Sequence, residues 1–98
     1  MASKNVELSV NYVPVNIEEF IQKFIESVIT GILGALKGYR EAQDIKLSID
    51  GDTVDITLDN DVIQLNPFVS TFVRNTVIGM VSSLKDVGQI ERLEIIIS

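Results

Sequence analysis

The chain of 98 residues is long enough for one domain built around one hydrophobic core. Hydrophobic residues make up 46% of it and charged residues 22%, a composition that excludes a disordered or collagen-like protein. It contains no cysteine and no histidine, which excludes disulfides, thiolate zinc sites and histidine proton shuttles. We therefore expect a non-catalytic protein with no cofactor and no dedicated metal site.

The formal net charge is −6, from 14 acidic and 8 basic residues. Such a chain repels DNA and RNA on average, and its basic residues are scattered singly, without a run that would gather phosphates. The longest apolar stretch, residues 24–36, contains Glu26 and is too short to span a bilayer. Residues 1–5 are polar and do not resemble a secretory signal. We expect a cytoplasmic protein that binds neither nucleic acid nor membrane.

The two halves of the chain share one pattern at an offset of 48 residues, without a gap. The offset aligns Phe20 with Phe68, Phe24 with Phe72, and Gly31 with Gly79. Either one unit was duplicated, or two amphipathic units happen to have equal length. We predict a single domain over residues 1–98, with half-repeats over approximately residues 7–50 and 55–98.

In the first half, Leu8, Val10 and Tyr12 alternate with polar residues, which predicts a strand with one buried face and places Tyr12 on the core side. Asn16 is predicted to cap a helix whose apolar residues recur at helical spacing from Phe20 to Leu36. A second strand is predicted over residues 45–49.

In the second half, residues 50–52 predict a tight turn into a third strand over residues 54–58. Asn66 and Pro67 predict the cap and the first residue of a second helix, which Gly88 is expected to end. The apolar residues that this helix is expected to bury are Val69, Phe72, Val73, Val77, Met80, Val81 and Leu84. A fourth strand is predicted over residues 93–97.

This order, βαββαβ, is the ferredoxin-like pattern. It predicts an α+β two-layer sandwich: a four-stranded antiparallel sheet, both helices on one face, and a pseudo-twofold axis between the halves. The first and third strands are expected to be central, and the second and fourth to be edges. The residues expected on the open face of the sheet are Glu7, Ser9, Asn11, Lys46, Ser48, Asp55, Thr57, Arg92 and Glu94, with Ile96 as the apolar exception.

Acidic residues cluster at two turns of the predicted sheet. The first group is Asp50, Asp52 and Asp55, and the second is Asp59 and Asp61. Their spacing does not match an EF-hand loop, and the two groups lie at opposite ends of one strand. We interpret them as solvated turn residues, with a weak Ca²⁺ or Mg²⁺ site as the alternative.

The first helix has more apolar surface than one sheet face can cover, since its apolar arc spans roughly 220°. A stripe of small residues also follows one of its flanks, at Ser27, Gly31, Gly34 and Gly38. Together with Gly79, this stripe predicts a close crossing of the two helices within the chain. A contact between subunits through the same stripe is the alternative.

The last predicted strand is expected to be an edge, yet residues 95–98 carry none of the charged side chains that usually protect a sheet edge. We therefore predict an oligomer interface at Ile95, Ile96 and Ile97, either as a sheet continued into a second copy or as open faces stacked around Ile96. The overall prediction is a self-associating scaffold or regulatory subunit that forms a homodimer. The alternative is a regulatory domain that binds a small molecule in a pocket between helices or subunits; the sequence does not identify the ligand.

Overall fold

A computed structural model describes residues 5–36, 41–85 and 87–98. These residues form an α+β fold with two helices and one antiparallel sheet of six strands, two more than predicted. The elements are β1 (Val6–Val10), β2 (Val13–Val15), α1 (Glu19–Gly34), β3 (Ile45–Asp50), β4 (Thr53–Leu58), β5 (Asp61–Ile63), α2 (Pro67–Ser82) and β6 (Arg92–Ile97).

The strands lie in the order β2-β1-β6-β3-β4-β5. The predicted strand order is therefore wrong: β3 and β6 are central, and the edges are β2 and β5. In the predicted and in the observed order alike, the two long strands that come before and after a helix are separated by one strand from the other half of the chain. The apolar alternation is the same in both cases, so it did not distinguish them.

The two strands missed by the sequence analysis follow tight two-residue turns. Asn11 and Tyr12 have φ of 51° and 67°, and Asp59 and Asn60 have φ of 49° and 73°. Two successive left-handed residues are typical of the type I′ hairpin turn. Tyr12 is consequently an exposed turn residue, 79% accessible, and its prediction as a core-facing strand residue is wrong.

The side chain at the first position of each turn holds the segment that leads into a central strand. Asn11 Oδ1 accepts hydrogen bonds from the backbone N–H groups of Glu91 at 2.9 Å and Arg92 at 3.0 Å. Asp59 Oδ1 likewise accepts from the N–H groups of Gln43 at 3.1 Å and Asp44 at 2.9 Å. The turns thereby fix where β6 and β3 begin.

The hydrophobic core covers one face of the sheet. Leu8, Ile95, Leu47 and Ile56 are cross-strand neighbours on β1, β6, β3 and β4, and all four are buried. Both helices pack on this face and add their buried residues to the same cluster: Ile25, Ile29 and Leu33 from α1, and Val73, Val77 and Val81 from α2. None of the described polar or charged residues is buried.

The opposite face of the sheet carries the polar residues that the alternation predicts. Along one cross-strand row, Ser9, Glu94, Ser48 and Asp55 lie side by side. Asn11 is the exception among the predicted open-face residues, because it belongs to the turn after β1.

The two helices begin differently. Asn66 caps α2 as predicted, since its Oδ1 accepts a hydrogen bond from the N–H of Val69 at 2.8 Å. The predicted cap at Asn16 is wrong, because α1 starts at Glu19 and its N-cap, Glu18, makes no side-chain cap hydrogen bond. β2 extends the sheet to Val15, and the next residues are used in crossing to the helix layer. The prediction that Gly88 ends the second helix is also wrong, since α2 ends at Ser82.

Candidate functional site

All four phenylalanines of the chain are exposed on the helices. Their accessible fractions are 69% for Phe20, 51% for Phe24, 74% for Phe68 and 65% for Phe72. The prediction that Phe72 is buried is therefore wrong. The rings form two tilted pairs, with centroids 6.2 Å apart on α1 and 6.0 Å apart on α2.

Helical geometry explains why these rings point away from the core. Phe20 precedes the buried residue Ile29 by nine positions, or about two and a half turns, so it lies on the opposite side of α1. Phe68 has the same relation to the buried Val77 on α2. The phenylalanines therefore mark the side of each helix that faces away from the sheet.

The outward side of each helix is a row of exposed positions spaced by four, three, four and three residues. We call these ten positions the outer helix face. They are Phe20, Phe24, Ser27, Gly31 and Gly34 on α1, and Phe68, Phe72, Asn75, Gly79 and Ser82 on α2. This spacing is the one that keeps a row of residues on a packing surface between helices. None of the ten residues is ionisable.

The glycines of the outer helix face border open space. A Cβ atom added at Gly31, Gly34 or Gly79 would meet no heavy atom within 4 Å. The prediction of a close helix crossing inside the chain at Gly31 and Gly79 is therefore wrong, and Gly38 lies outside the described residues. A glycine in a helix interior costs about 1 kcal/mol relative to alanine. No other described side chain occupies the open space beside these glycines.

The helices carry few charged residues, and none occupies a position of the outer helix face. Lys23 pairs with Glu19 at 3.7 Å on the flank of α1. Arg74, the single ionisable residue of α2, donates from Nε to the carbonyl oxygen of Gly51 at 2.6 Å and lies 3.7 Å from Asp52 Oδ1. The outer helix face is thus free of charge in a protein whose net charge is −6.

The ends of the two helices come together at one cleft of about 350 Å³. Its lining residues are Ala35, Leu36, Gln64, Leu65, Asn66 and Val69. The end of α1 therefore lies beside the start of α2. The glycine-bearing end of α1 therefore lies next to the phenylalanine-bearing start of α2.

The open face of the sheet is ionic, in contrast to the outer helix face. Glu94 lies 3.5 Å from Lys46 Nζ and 3.4 Å from Arg92 Nη2, and Arg92 Nη1 is 3.5 Å from Asp50 Oδ2. Arg92 also stacks on the Tyr12 ring, with its guanidinium carbon 5.1 Å from the ring centroid. These pairs link β3, β6 and the first hairpin turn by their side chains.

The premise of the predicted interface at Ile95, Ile96 and Ile97 is wrong, because β6 is not an edge strand. It pairs with β1 on one side and β3 on the other, so it cannot extend into a second sheet. Ile95 and Ile97 are buried in the core, and only Ile96 faces outward, between Glu7 and Lys46. Stacking of open faces around Ile96 stays a prediction.

The acidic turns are partly neutralised by basic partners. Asp50 pairs with Arg92, Asp52 pairs with Arg74, and Asp59 accepts backbone hydrogen bonds. Over the ranges that the structure describes, no group of three or more acidic side chains is arranged to hold a metal ion.

Neither helix within the described residues has the length and apolar composition that crossing a membrane requires. Comparison of the chain with protein-family models, with curated proteins and with solved structures finds no match. The site must therefore be interpreted from its own geometry, in which the outer helix face combines four exposed phenylalanines with no ionisable residue.

The outward phenylalanines were missed because their spacing also fits a buried helical stripe. The uncharged row on each helix could have distinguished these exposed phenylalanines from buried ones. Each row begins with two phenylalanines, continues with serine or asparagine and then glycine, and has no ionisable residue at any position. A solvent-exposed row normally contains lysine or glutamate.

Proposed function

We propose that the protein is a non-catalytic structural module that forms a homodimer through its outer helix face. The single observation that carries this proposal is the exposure of four phenylalanines on one uncharged surface. The partner is a second copy of the chain, for reasons of area, charge and symmetry.

The exposed aromatic area is close to what a dimer interface needs. At the accessible fractions of the four rings, and with 150–250 Å² per buried phenylalanine, the rings present roughly 400–650 Å². A stable interface buries about 800 Å² on each partner. The serine, asparagine and glycine positions of the same face supply the remainder. The largest apolar patch of a typical monomer measures about 300–600 Å² and is often functional, so this face lies at the upper end of that range or above it.

Charge favours this face over any other surface for self-association. Two copies that each carry a net charge of −6 repel one another. Contact through ten uncharged positions keeps the acidic residues of the two copies away from the interface. The open face of the sheet would instead bring Glu7, Asp55 and Glu94 towards a second set of acids.

We also propose that the two halves are copies of one unit, which would give the outer helix face its own approximate twofold symmetry. Both helices have 16 residues and begin 48 positions apart, at Glu19 and Pro67. The two left-handed turns are separated by the same offset. An isologous interface uses the same patch on both copies, and a face with such symmetry would present two equivalent aromatic pairs there.

Substitution of the inner phenylalanine of each pair tests the proposed interface. Wild-type protein is expected to show twice the chain mass of 10.8 kDa by size-exclusion chromatography with light scattering. The double variant Phe24→Ser, Phe72→Ser is expected to raise the dissociation constant at least tenfold, because aromatic residues at the centre of an interface contribute about 2 kcal/mol or more each. At wild-type dimer concentrations it should elute with the mass of one chain.

Ile96→Lys is the matched control, because it places a similar change on the open face of the sheet. It should leave the dimer intact, whereas stacking of open faces predicts that it would dissociate. A wild-type mass of 10.8 kDa that does not change with concentration would contradict self-association altogether. Circular dichroism should show unchanged helix content for both variants.

A second candidate function is the binding of a small apolar molecule in the cleft between the end of α1 and the start of α2. Its volume of about 350 Å³ is within the range of ligand pockets, and its lining is mostly apolar. Native mass spectrometry of protein purified from its source distinguishes the two functions. A retained mass that Val69→Trp abolishes would favour the binder, and a dimer without added mass would favour the structural module.

A further inference from the structure

We infer that the helices of the two copies pack antiparallel in the dimer, with each phenylalanine pair seated on the glycine-bearing half of a partner helix. This inference rests on the proposed function and specifies how the same surface recognises its partner. It follows from the order of large and small residues along the outer helix face.

Each helix presents its large side chains first and its small ones last. On α1 the order is Phe20, Phe24, Ser27, Gly31, Gly34. On α2 it is Phe68, Phe72, Asn75, Gly79, Ser82. In both rows the middle position is a small polar residue that separates the aromatic half from the glycine half.

Antiparallel packing of two such rows brings large residues opposite small ones. If the axis of symmetry passes near Ser27, Phe20 faces Gly34 of the partner helix and Phe24 faces Gly31. On α2 an axis near Asn75 places Phe72 opposite Gly79. Facing positions that alternate in size can interdigitate at native density.

Parallel packing of the same rows gives a poor fit. It would place phenylalanine against phenylalanine at one end and leave glycine against glycine at the other. The distance between packed helix axes is set by the side chains at the contact. The rings would hold the axes apart and leave a void over the glycines.

The open space above the glycines is the second observation that supports this arrangement. Apart from the chain neighbours of each glycine and the nearby backbone of its own helix, no described atom comes within 4 Å of a Cβ added at Gly31, Gly34 or Gly79. The helices retain these unfavourable residues although no described side chain of the monomer occupies the space above them. A ring from a second copy would fill it.

The arrangement does not depend on which partner helix is engaged. In a twofold dimer with aligned helices, α1 can lie on α1 or on α2 of the second copy. Phe24 then contacts either Gly31 or Gly79 of that copy. A test that changes both glycines covers both cases.

The filled variant Gly31→Leu, Gly79→Leu tests the inference. A Cβ at either position meets no described side chain within 4 Å, and leucine is a better helix former than glycine, so the variant should fold with a melting temperature at or above that of the wild type. Because the leucines occupy the space meant for the partner rings, we expect its dissociation constant to rise at least tenfold. Gly88→Leu is the matched control: this glycine also borders open space but lies outside the outer helix face, and dimerisation should not change.

Mixing two weakened variants provides the decisive measurement. The trimmed variant Phe24→Ala, Phe72→Ala lacks the two rings that would clash with the leucines of the filled variant. Native mass spectrometry of the mixture should show a heterodimer tighter than either homodimer, because each leucine then faces an alanine and the remaining Phe24 and Phe72 rings each face a glycine.

The outcomes separate failure of the inference from failure of the proposed function. A wild-type protein that stays monomeric would remove the proposed dimer and the inference with it. A wild-type dimer whose filled variant associates equally well would overturn the inference and leave the proposed function standing. Weak association of the filled variant without heterodimer formation in the mixture would also overturn the antiparallel arrangement.

Discussion

Asn11 and Asp59 each meet two requirements at the scale of the single residue. Each adopts a left-handed backbone conformation, with φ of 51° and 49°, and each uses one side-chain oxygen to accept two backbone N–H groups. Asparagine and aspartate tolerate this conformation better than most residues and bond readily to nearby backbone. The two positions therefore define where the hairpin turns and where the central strands begin.

Asn11→Ala is expected to lower the free energy of unfolding by about 2 kcal/mol, because it removes the side-chain hydrogen bonds and places alanine at positive φ. Urea denaturation measures the change.

Asn11→Gly is the matched control for backbone conformation, since glycine adopts positive φ without strain. It loses the same hydrogen bonds and should be about 1 kcal/mol more stable than the alanine variant. Equal stability of the two variants would show that backbone conformation contributes nothing at this position.

At the scale of the element, α1 and α2 have equal length and similar packing but different first residues. The α2 N-terminus is capped by Asn66, whose oxygen accepts from the N–H of Val69 at 2.8 Å, and continues with Pro67. The corresponding position of α1 is Glu18, which makes no side-chain cap hydrogen bond. The two helices align at an offset of 48 residues, but their N-termini are capped differently.

We expect Asn66→Ala to lower the free energy of unfolding by about 1 kcal/mol, the usual contribution of a side-chain N-cap. Glu18→Ala should change it by less than about 0.5 kcal/mol, because no cap hydrogen bond is lost. Chemical denaturation of the two variants provides a matched comparison. Equal losses would contradict the difference in capping.

At the scale of the whole molecule, the strands and helices with strong periodicity could be predicted from the sequence. Leu47 and Ile49 alternate with exposed or half-buried residues along β3, as the pattern predicts. The short strands β2 and β5 could not be found, because three residues are too few for a period to be recognised. Pro14 within β2 further argued against a strand, although proline is acceptable at a sheet edge.

Strand order and the candidate interface depended on information that the periodicity does not contain. Leu93 and Ile95 would face the core equally well in an edge strand or a central strand, so the pattern could not locate β6. Phe24 and Ile25 are neighbours in sequence, yet one is 51% accessible and the other 1%. Both residues fit the apolar spacing of a helix. Which of the two is buried depends on the side of the helix that faces the sheet, and the spacing does not show that side. The stripe of small residues on α1 predicts a contact between subunits as one of two alternatives, but it does not indicate that the phenylalanines lie on the same surface.

The most direct test of the outer helix face is an isotope-filtered NOE spectrum of a dimer assembled from labelled and unlabelled chains. Only contacts between the two copies give signals in this experiment. We expect intermolecular NOEs from the ring protons of Phe24 and Phe72 to the α protons of Gly31 and Gly79. Intermolecular NOEs confined to Ile96 and its neighbours on the open sheet face, or no intermolecular NOE at all, would contradict the proposed interface.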